Sequence, residues 1–480
     1  MRERIKLLEE RGLALEPAPE LHARLVGEAV RYAEEFLDRL PQAPAYRLTD
    51  DKGRGLREAP FSESPAEMGS LLEIFDHQVV RPGLNPASGG HLGYIPGGGI
   101  THSAVGDYLA AITNRYAGVF FSSPGAVRME NMLLEWMADL VGYPESSAGN
   151  LTSGGSIANL MGIVTARDAC GLRARDFERS VIYLTTQVHH SVDKAIRIAG
   201  LGECIKSHVP LDSGYRMDPE ALKSLIRKDK AEGRIPWLVV ASAGTTDTGV
   251  VDPLEAIGDI ARSEELWLHV DGAYGAFFAL CEEGKKVLGG MDRSDSIVMD
   301  PHKGLFLPYG SGAVLVKERE KLYNSHYYLA HYMQDTLRSQ EELSPSDLSP
   351  ELTKHFRGLR LWLPLKLLGI APFRAALEEK LLLARYFHQQ IQQLDRFEVG
   401  PAPDLSVVTF RYMPREGDPN AFNQKLVEAI HGDGRVFLSS TLLDGRFVLR
   451  VAVLCFRTHL DTIDLALEVL KEKARLLERG

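Results

Sequence analysis

Four short stretches carry residue types that could act together on one ligand, and they follow one another along the chain. The first is Thr152-Ser-Gly-Gly-Ser-Ile-Ala-Asn159. Small residues precede a helical run there, so bare N–H groups and the positive end of a helix dipole would converge on an anion such as a phosphate. Ser-Gly-Gly-Ser is also a common turn. The second is Gln187-Val-His189-His190-Ser191, after the apolar run 181–184. A histidine at a strand end can stack on a planar ligand, bind a metal or act as a base, and it can equally be a polar loop residue opening a helix. The third is the apolar run 266–270 followed by Asp271-Gly-Ala-Tyr-Gly275. It sets a carboxylate at a strand tip, with small residues that leave room for a flat ring; an aspartate capping a turn has the same appearance. The fourth is Met299-Asp-Pro-His302-Lys303-Gly304, a lysine at a strand end, where most lysines are simply solvated.

Each stretch has an ordinary reading alone; the set has a chemical one. Pyridoxal phosphate (PLP) needs an amine to form a Schiff base and a carboxylate to keep its pyridine nitrogen protonated. It also needs a phosphate cradle and a flat group against the ring. The chain offers cradle, stacker (His189), carboxylate (Asp271) and lysine (Lys303) in that order. The last two are 303 − 271 = 32 residues apart, about one βαβ unit.

The elements that must hold these residues form a βα alternation. Apolar runs at 181–184, 237–241, 266–270, Ser296–Met299 and 313–316 are separated by helical patterns at 155–167, 192–199 and Leu254–Ser263. This predicts a mostly parallel sheet covered on both faces, with ligands at the carboxyl ends of its strands. The reading divides the chain in three. Residues 1–85 form a helical arm, with Leu21, Leu25, Ala29, Tyr32, Ala33 and Phe36 at helical spacing and a second helical stretch at 61–80. Residues 86–365 form a large α/β domain, and residues 366–480 a small α+β domain with strands at 407–412 and 447–454. The polar stretch 330–352, with Pro345 and Pro350, reads as a long loop of the kind that covers active sites.

Composition narrows the classes. Hydrophobic residues make up 44% and charged residues 25% of 480 positions, as in ordinary globular proteins. A net charge of −10 repels a phosphate backbone, so nucleic acid is not an expected partner. Four scattered cysteines without a CxxC pair predict no disulfide frame, and HExxH is absent. The charged start MRERIKLLEE predicts no signal peptide, and no apolar run is long enough for a membrane span. A cytoplasmic enzyme is expected.

These motifs, with Gly244-Thr-Thr246, His91-Leu-Gly-Tyr94-Ile-Pro96, Ser122-Ser-Pro124, Phe447-Val-Leu-Arg450 and Arg457-Thr458, resemble the group II pyridoxal-dependent amino acid decarboxylases. The resemblance spans residues 60–475. It implies a PLP-dependent transferase fold of type I, aspartate aminotransferase-like, assembled as a homodimer whose arms wrap the partner. It implies that Lys303 forms the Schiff base, Asp271 pairs with the pyridine nitrogen, Ala273 lies under the ring and His189 over it. Gly154, Gly155 and Ser156 would hold the phosphate, His302 would contact the phosphate region and Thr246 would lie near the cofactor or substrate. Tyr94 and Tyr116, the latter across the dimer interface, would line the substrate pocket. Arg450 would bind a substrate or structural carboxylate, or sit in a buried ion pair. The implied reaction is loss of carbon dioxide from an L-amino acid to give an amine. A carbon–carbon lyase, an aldehyde-forming enzyme and a weakly catalytic PLP-binding dimer are the competing readings. The sequence departs from the family at Ile157, where glutamate is frequent, and at Asp300, where asparagine is frequent. It carries no tyrosine in 344–350, Tyr332 lying upstream. Glycines 89, 90 and 97–99 flank the expected pocket wall and predict a roomier pocket.

Overall fold

The computed structural model describes residues 1–328 and 342–479. Tyr332 and the first part of the polar stretch lie outside the described residues. A two-stranded ribbon, β1 (Tyr46–Arg47) against β2 (Gly83–Leu84), precedes the main sheet. That sheet has seven strands: β3 (Ala148–Thr152), β4 (Ser180–Leu184), β5 (Ile205–His208), β6 (Ile235–Ser242), β7 (Trp267–Asp271), β8 (Ser296–Met299) and β9 (Gly312–Val316). Their spatial order is β3-β9-β8-β7-β6-β4-β5.

Strands β8, β7, β6, β4 and β5 run parallel, while β9 is antiparallel to both β8 and β3. Two reversals therefore return β3 to the common direction. Thr152, Leu184, Ser242, Asp271 and Met299 all end on one edge, and Ser242 pairs with Asp271 across β6 and β7. Side chains alternate between faces as the pleat requires. Val181 and Tyr183 join one buried cluster with Val239, Leu268 and Phe277; Ile182 and Leu184 join another with Leu238, Val298 and Val314. A sheet buried on both faces explains why these strands read as unbroken apolar runs.

The carboxyl-terminal part forms a four-stranded antiparallel sheet of β10 (Phe397–Val399), β11 (Val407–Tyr412), β12 (Ser439–Leu443) and β13 (Arg446–Ala452), in the order β10-β11-β13-β12. Helices Ala371–Gln392, Pro419–Asp433 and Leu460–Arg479 pack on it through Phe387, Ile430 and Leu470. A large sheet with helices and a small antiparallel domain is the architecture that the resemblance implied.

At the amino end, helices Arg2–Gly12 and Pro19–Arg39 bury none of their residues. Buried Asp76 ties this arm down by accepting from Tyr32 Oη (3.1 Å), Arg39 Nη2 (2.8 Å) and Arg81 Nε (2.6 Å). The predicted helix over 61–80 is shorter in the structure. It runs Met68–Phe75 and continues as a π turn, Asp76–Val80. Pro60 and Pro65 push the residues before them out of helical conformation.

Beyond the undescribed segment the chain returns along buried contacts. Asn150 Nδ2 donates to the Pro345 carbonyl (2.8 Å), and Lys354 Nζ lies 2.7 Å from Glu130 Oε2 with both side chains fully buried. Glu130 Oε1 also accepts from the backbone N–H groups of Arg357 and Gly358, at 3.1 Å each. Breaking a buried pair strands the partner charge, so Lys354→Ala is expected to cost about 3 kcal/mol or more of stability. Thermal unfolding of the purified protein checks this; an unshifted midpoint would contradict it.

Candidate active site

The strand ends enclose a cavity of about 350 Å³. It is lined by Gly154, Gly155 and Ser156 after β3, His189 after β4, Thr246 after β6, Asp271 and Ala273 at the end of β7, and His302 and Lys303 after β8. These are the residues expected around the cofactor. Tyr94, Tyr116 and Arg450 are not in the lining. Tyr94 is 57% exposed, with its ring against His91 and Phe437. The Tyr116 hydroxyl donates to the Leu352 carbonyl (3.1 Å). Arg450 is buried and meets no carboxylate among its hydrogen-bond partners. It donates to the carbonyls of Asp247 (2.8 Å) and Thr246 and to Ser439 Oγ (2.7 Å), so it holds the Thr246 turn in shape.

At the cradle, Gly154 has φ 152° and ψ 174°, a region that only glycine adopts easily. The helix Gly155–Ala169 starts there, so its first N–H groups face the cavity. Lys303 sits on the one-turn helix Pro301–Gly304, with its amine 2.9 Å from Asp300 Oδ2. Burial alone would push this ammonium down, but the Asp300 and Asp271 carboxylates outweigh it and hold it above the usual lysine value. Asp300 is 1% exposed, and its Oδ1 has no hydrogen-bond partner among the described residues. One of its oxygens pairs with the lysine cation, and the other is a buried acceptor beside the cradle.

His189 caps the helix His190–Ile198. Its Nδ1 accepts from the Ser191 backbone N–H (3.2 Å), so in the neutral ring the proton is on Nε2. Burial, with His190 and Lys303 adding to it against the pull of Asp271, holds its pKa below the usual histidine value. His302 donates from Nδ1 to the Ser311 carbonyl, and burial likewise disfavours its charged form. Asp271 Oδ1 accepts from the Ala273 N–H (3.1 Å) and Oδ2 from Asn159 Nδ2 (3.0 Å).

Three features lay beyond the sequence reading. Tyr309 lines the cavity near His302, with ring centroids 5.9 Å apart. Tyr328, just before the polar stretch 330–352, is 88% exposed. The glycines read as widening the pocket do something else: a Cβ on Gly89, Gly90 or Gly97 would come within 2.5 Å of a main-chain carbonyl oxygen. They allow close backbone packing and are absent from the cavity lining.

An amine, a carboxylate fixed as an acceptor, a helix amino end and small residues around one cavity fit the demands of PLP. Among the described residues no group of side chains could hold a metal ion, and no helix is long and apolar enough to cross a membrane.

Comparison with known proteins agrees. Residues 55–413 match the family described as pyridoxal-dependent decarboxylase conserved domain. The chain is 32% identical over 437 residues to an aromatic-L-amino-acid decarboxylase from Bacillus atrophaeus, covering 90% of this chain and 91% of that one. It is 29% identical to a phenylacetaldehyde synthase from Arabidopsis thaliana, covering 86% and 88%. The crystal structure of Oryza sativa TDC with PLP and tryptamine superposes with a TM-score of 0.90 at 25% identity, covering 96% and 99%. The chain belongs to the pyridoxal-dependent decarboxylase family and is a PLP-dependent carboxy-lyase.

Proposed function

We propose that this enzyme decarboxylates an aromatic L-amino acid and releases the amine. The observation that carries the reading is the convergence of Lys303, Asp271 and the Gly155 helix start on one cavity. The similarity to an aromatic-L-amino-acid decarboxylase over nine-tenths of both chains supports the substrate class. PLP, when bound, supplies an electron sink for the pair left on Cα as carbon dioxide departs.

The residues divide the remaining work. Lys303 provides the amine for the cofactor's carbonyl carbon. Asp271 would accept the N–H of the pyridine ring and keep that nitrogen cationic. The N–H groups at Gly155 and Ser156 would hold the phosphate, and Ala273 and His189 would lie against the two faces of the ring. The Nε2–H of His189 is the donor left for a group bound above the ring. A proton then replaces the lost carboxylate at Cα, giving the amine. The exposed arm helices, with Val30 48% and Leu21 39% exposed, support a homodimer in which the arm covers a second copy.

Asp300 makes a prediction of its own. A carboxylate beside the cradle repels a phosphate, whereas an amide could donate to it. Asp300→Asn is expected to tighten PLP binding by roughly tenfold. Titration of cofactor-free protein reads this, and equal or weaker binding would overturn the expected repulsion.

The competing reading, an aldehyde-forming enzyme, is favoured by the similarity to a phenylacetaldehyde synthase. One experiment separates the two. The PLP-loaded enzyme is given the aromatic amino acids, DOPA and a panel of the others, and carbon dioxide, amine, aldehyde and hydrogen peroxide are measured. Amine equal to carbon dioxide supports the proposal; aldehyde and peroxide rising with carbon dioxide overturn it.

A further inference from the structure

Behind Asp271 lies a chain of polar side chains that the decarboxylation chemistry does not itself require. Trp267 Nε1 donates to Ser296 Oγ (2.9 Å), Ser296 Oγ lies 2.7 Å from His269 Nδ1, and His269 Nε2 lies 2.9 Å from Asn159 Oδ1. Asn159 Nδ2 then donates to Asp271 Oδ2 (3.0 Å) and to Ser191 Oγ (3.0 Å), and Ser191 Oγ lies 2.8 Å from His189 Nδ1. Asn159, His269, Ser296 and Ser191 are each at most 2% exposed.

The carboxylate end fixes the direction of the bonds behind it, because a carboxylate can only accept. Asn159 must turn its amide nitrogen to Asp271, so its Oδ1 faces His269 and accepts from Nε2–H. The neutral His269 ring then has its lone pair on Nδ1, and Ser296, which receives from the indole N–H of Trp267, gives its own proton there. His189 Nδ1 accepts from the Ser191 backbone N–H and so carries no proton, which leaves Ser191 Oγ to donate to it while accepting from Asn159. Burial pushes His269 down to about 4 against the pull of Asp271, so the ring stays neutral at physiological pH.

We infer that Asn159 is a positioning residue that joins Asp271 and His189 into one hydrogen-bond relay of fixed direction, driven from Trp267 through Ser296 and His269. The relay rests on the reading that Asp271 meets the pyridine nitrogen. It delivers only donors to Asp271, so the carboxylate is kept as an acceptor for the ring N–H. Ser191 Oγ, held by Asn159, backs up the Ser191 backbone N–H that fixes the His189 proton on Nε2.

Local structure makes the arrangement possible. His269 and Asp271 are two apart on β7 and project to the same face. Asn159 lies about one helical turn beyond Ser156, so the helix that presents the cradle also presents the amide. A Cβ on Gly162 would lie 2.5 Å from His269 Cε1, so that glycine lets the helix close on the imidazole. Phosphate end and ring-nitrogen end are thereby held by one rigid element.

The test compares affinity for PLP with affinity for its deaza analogue, which has C–H in place of the ring nitrogen, by titrating cofactor-free protein. The wild type is expected to prefer PLP by roughly ten- to hundredfold, the worth of a charge-assisted hydrogen bond. Asn159→Ala is expected to shrink that preference by roughly tenfold. His269→Phe should shrink it similarly, while His269→Gln, which keeps an N–H for Asn159, should restore it. The two His269 variants decide the matter if Asn159→Ala does not fold. A merely structural role would weaken both cofactors alike; an unchanged preference in Asn159→Ala and His269→Phe, with the wild-type preference intact, overturns the relay. A wild-type preference near one overturns the Asp271 reading, and the relay with it.

Discussion

Lys303→Ala is expected to lower turnover by at least about a thousandfold, and Lys303→Arg to do the same while keeping more of the stability. The two substitutions separate the two things this lysine does. Its amine is 2.9 Å from Asp300 Oδ2, and Asp300 is 1% exposed with its other oxygen unpartnered among the described residues. Removing the amine leaves a buried carboxylate without its cation, a loss of about 3–5 kcal/mol for such pairs. Arginine restores a positive charge, but its guanidinium does not form the covalent link to PLP that the chemistry needs. Turnover, borohydride trapping of the bound cofactor and thermal unfolding are the three measurements. Activity within tenfold of wild type in Lys303→Arg would remove Lys303 from the covalent role.

Much of this site was legible because strand ends are legible. Strands β4, β7 and β8 are short apolar runs bounded by polar and small residues, and the polar residue after each lies where the strand ends. Strands β3 and β5 were harder to see. Ala-Gly-Asn-Leu-Thr in β3 lacks β-branched residues until its last position, and Ile-Lys-Ser-His in β5 lies at the sheet edge, half exposed. What fixes β3 is its pairing with β9, from Ala148 opposite Val316 to Thr152 opposite Gly312, and such long-range pairing leaves no local pattern.

The side chains at some distance from the reacting atoms were hidden for a related reason. Asn159 stands in the cradle motif and His269 two residues before Asp271, yet nothing in either stretch says that they meet; the packing of one helix on β7 brings them together. Arg450 shows the converse. An arginine in a family motif suggests a carboxylate, but the carbonyls of Thr246 and Asp247 occupy its donors. Glycines 89, 90 and 97 read as open space because the sequence shows only a missing side chain, and the structure fills that space with backbone.

Asp271→Asn tests the other pole of the site, and its expected effect is a fall in turnover of about a thousandfold with weaker PLP binding. The replacement has nearly the same shape, so its effect is electrostatic and directional. Two donors converge on the native carboxylate, Asn159 Nδ2 on one oxygen and the Ala273 N–H on the other. An amide has one acceptor oxygen, so it can satisfy only one of them; its NH₂ must face the other donor or turn into the cavity. Turned into the cavity, it presents hydrogens where the pyridine N–H needs an acceptor, which favours the unprotonated ring and removes the electron sink. Facing Ala273, it meets donor with donor in a site where Asp271 is 8% exposed and water cannot easily compensate. Both placements lower activity, and both remove the negative charge that favours the protonated ring, a change that its absorption spectrum as a function of pH reports. A variant with less than a tenfold loss would mean that the ring nitrogen does not depend on this carboxylate.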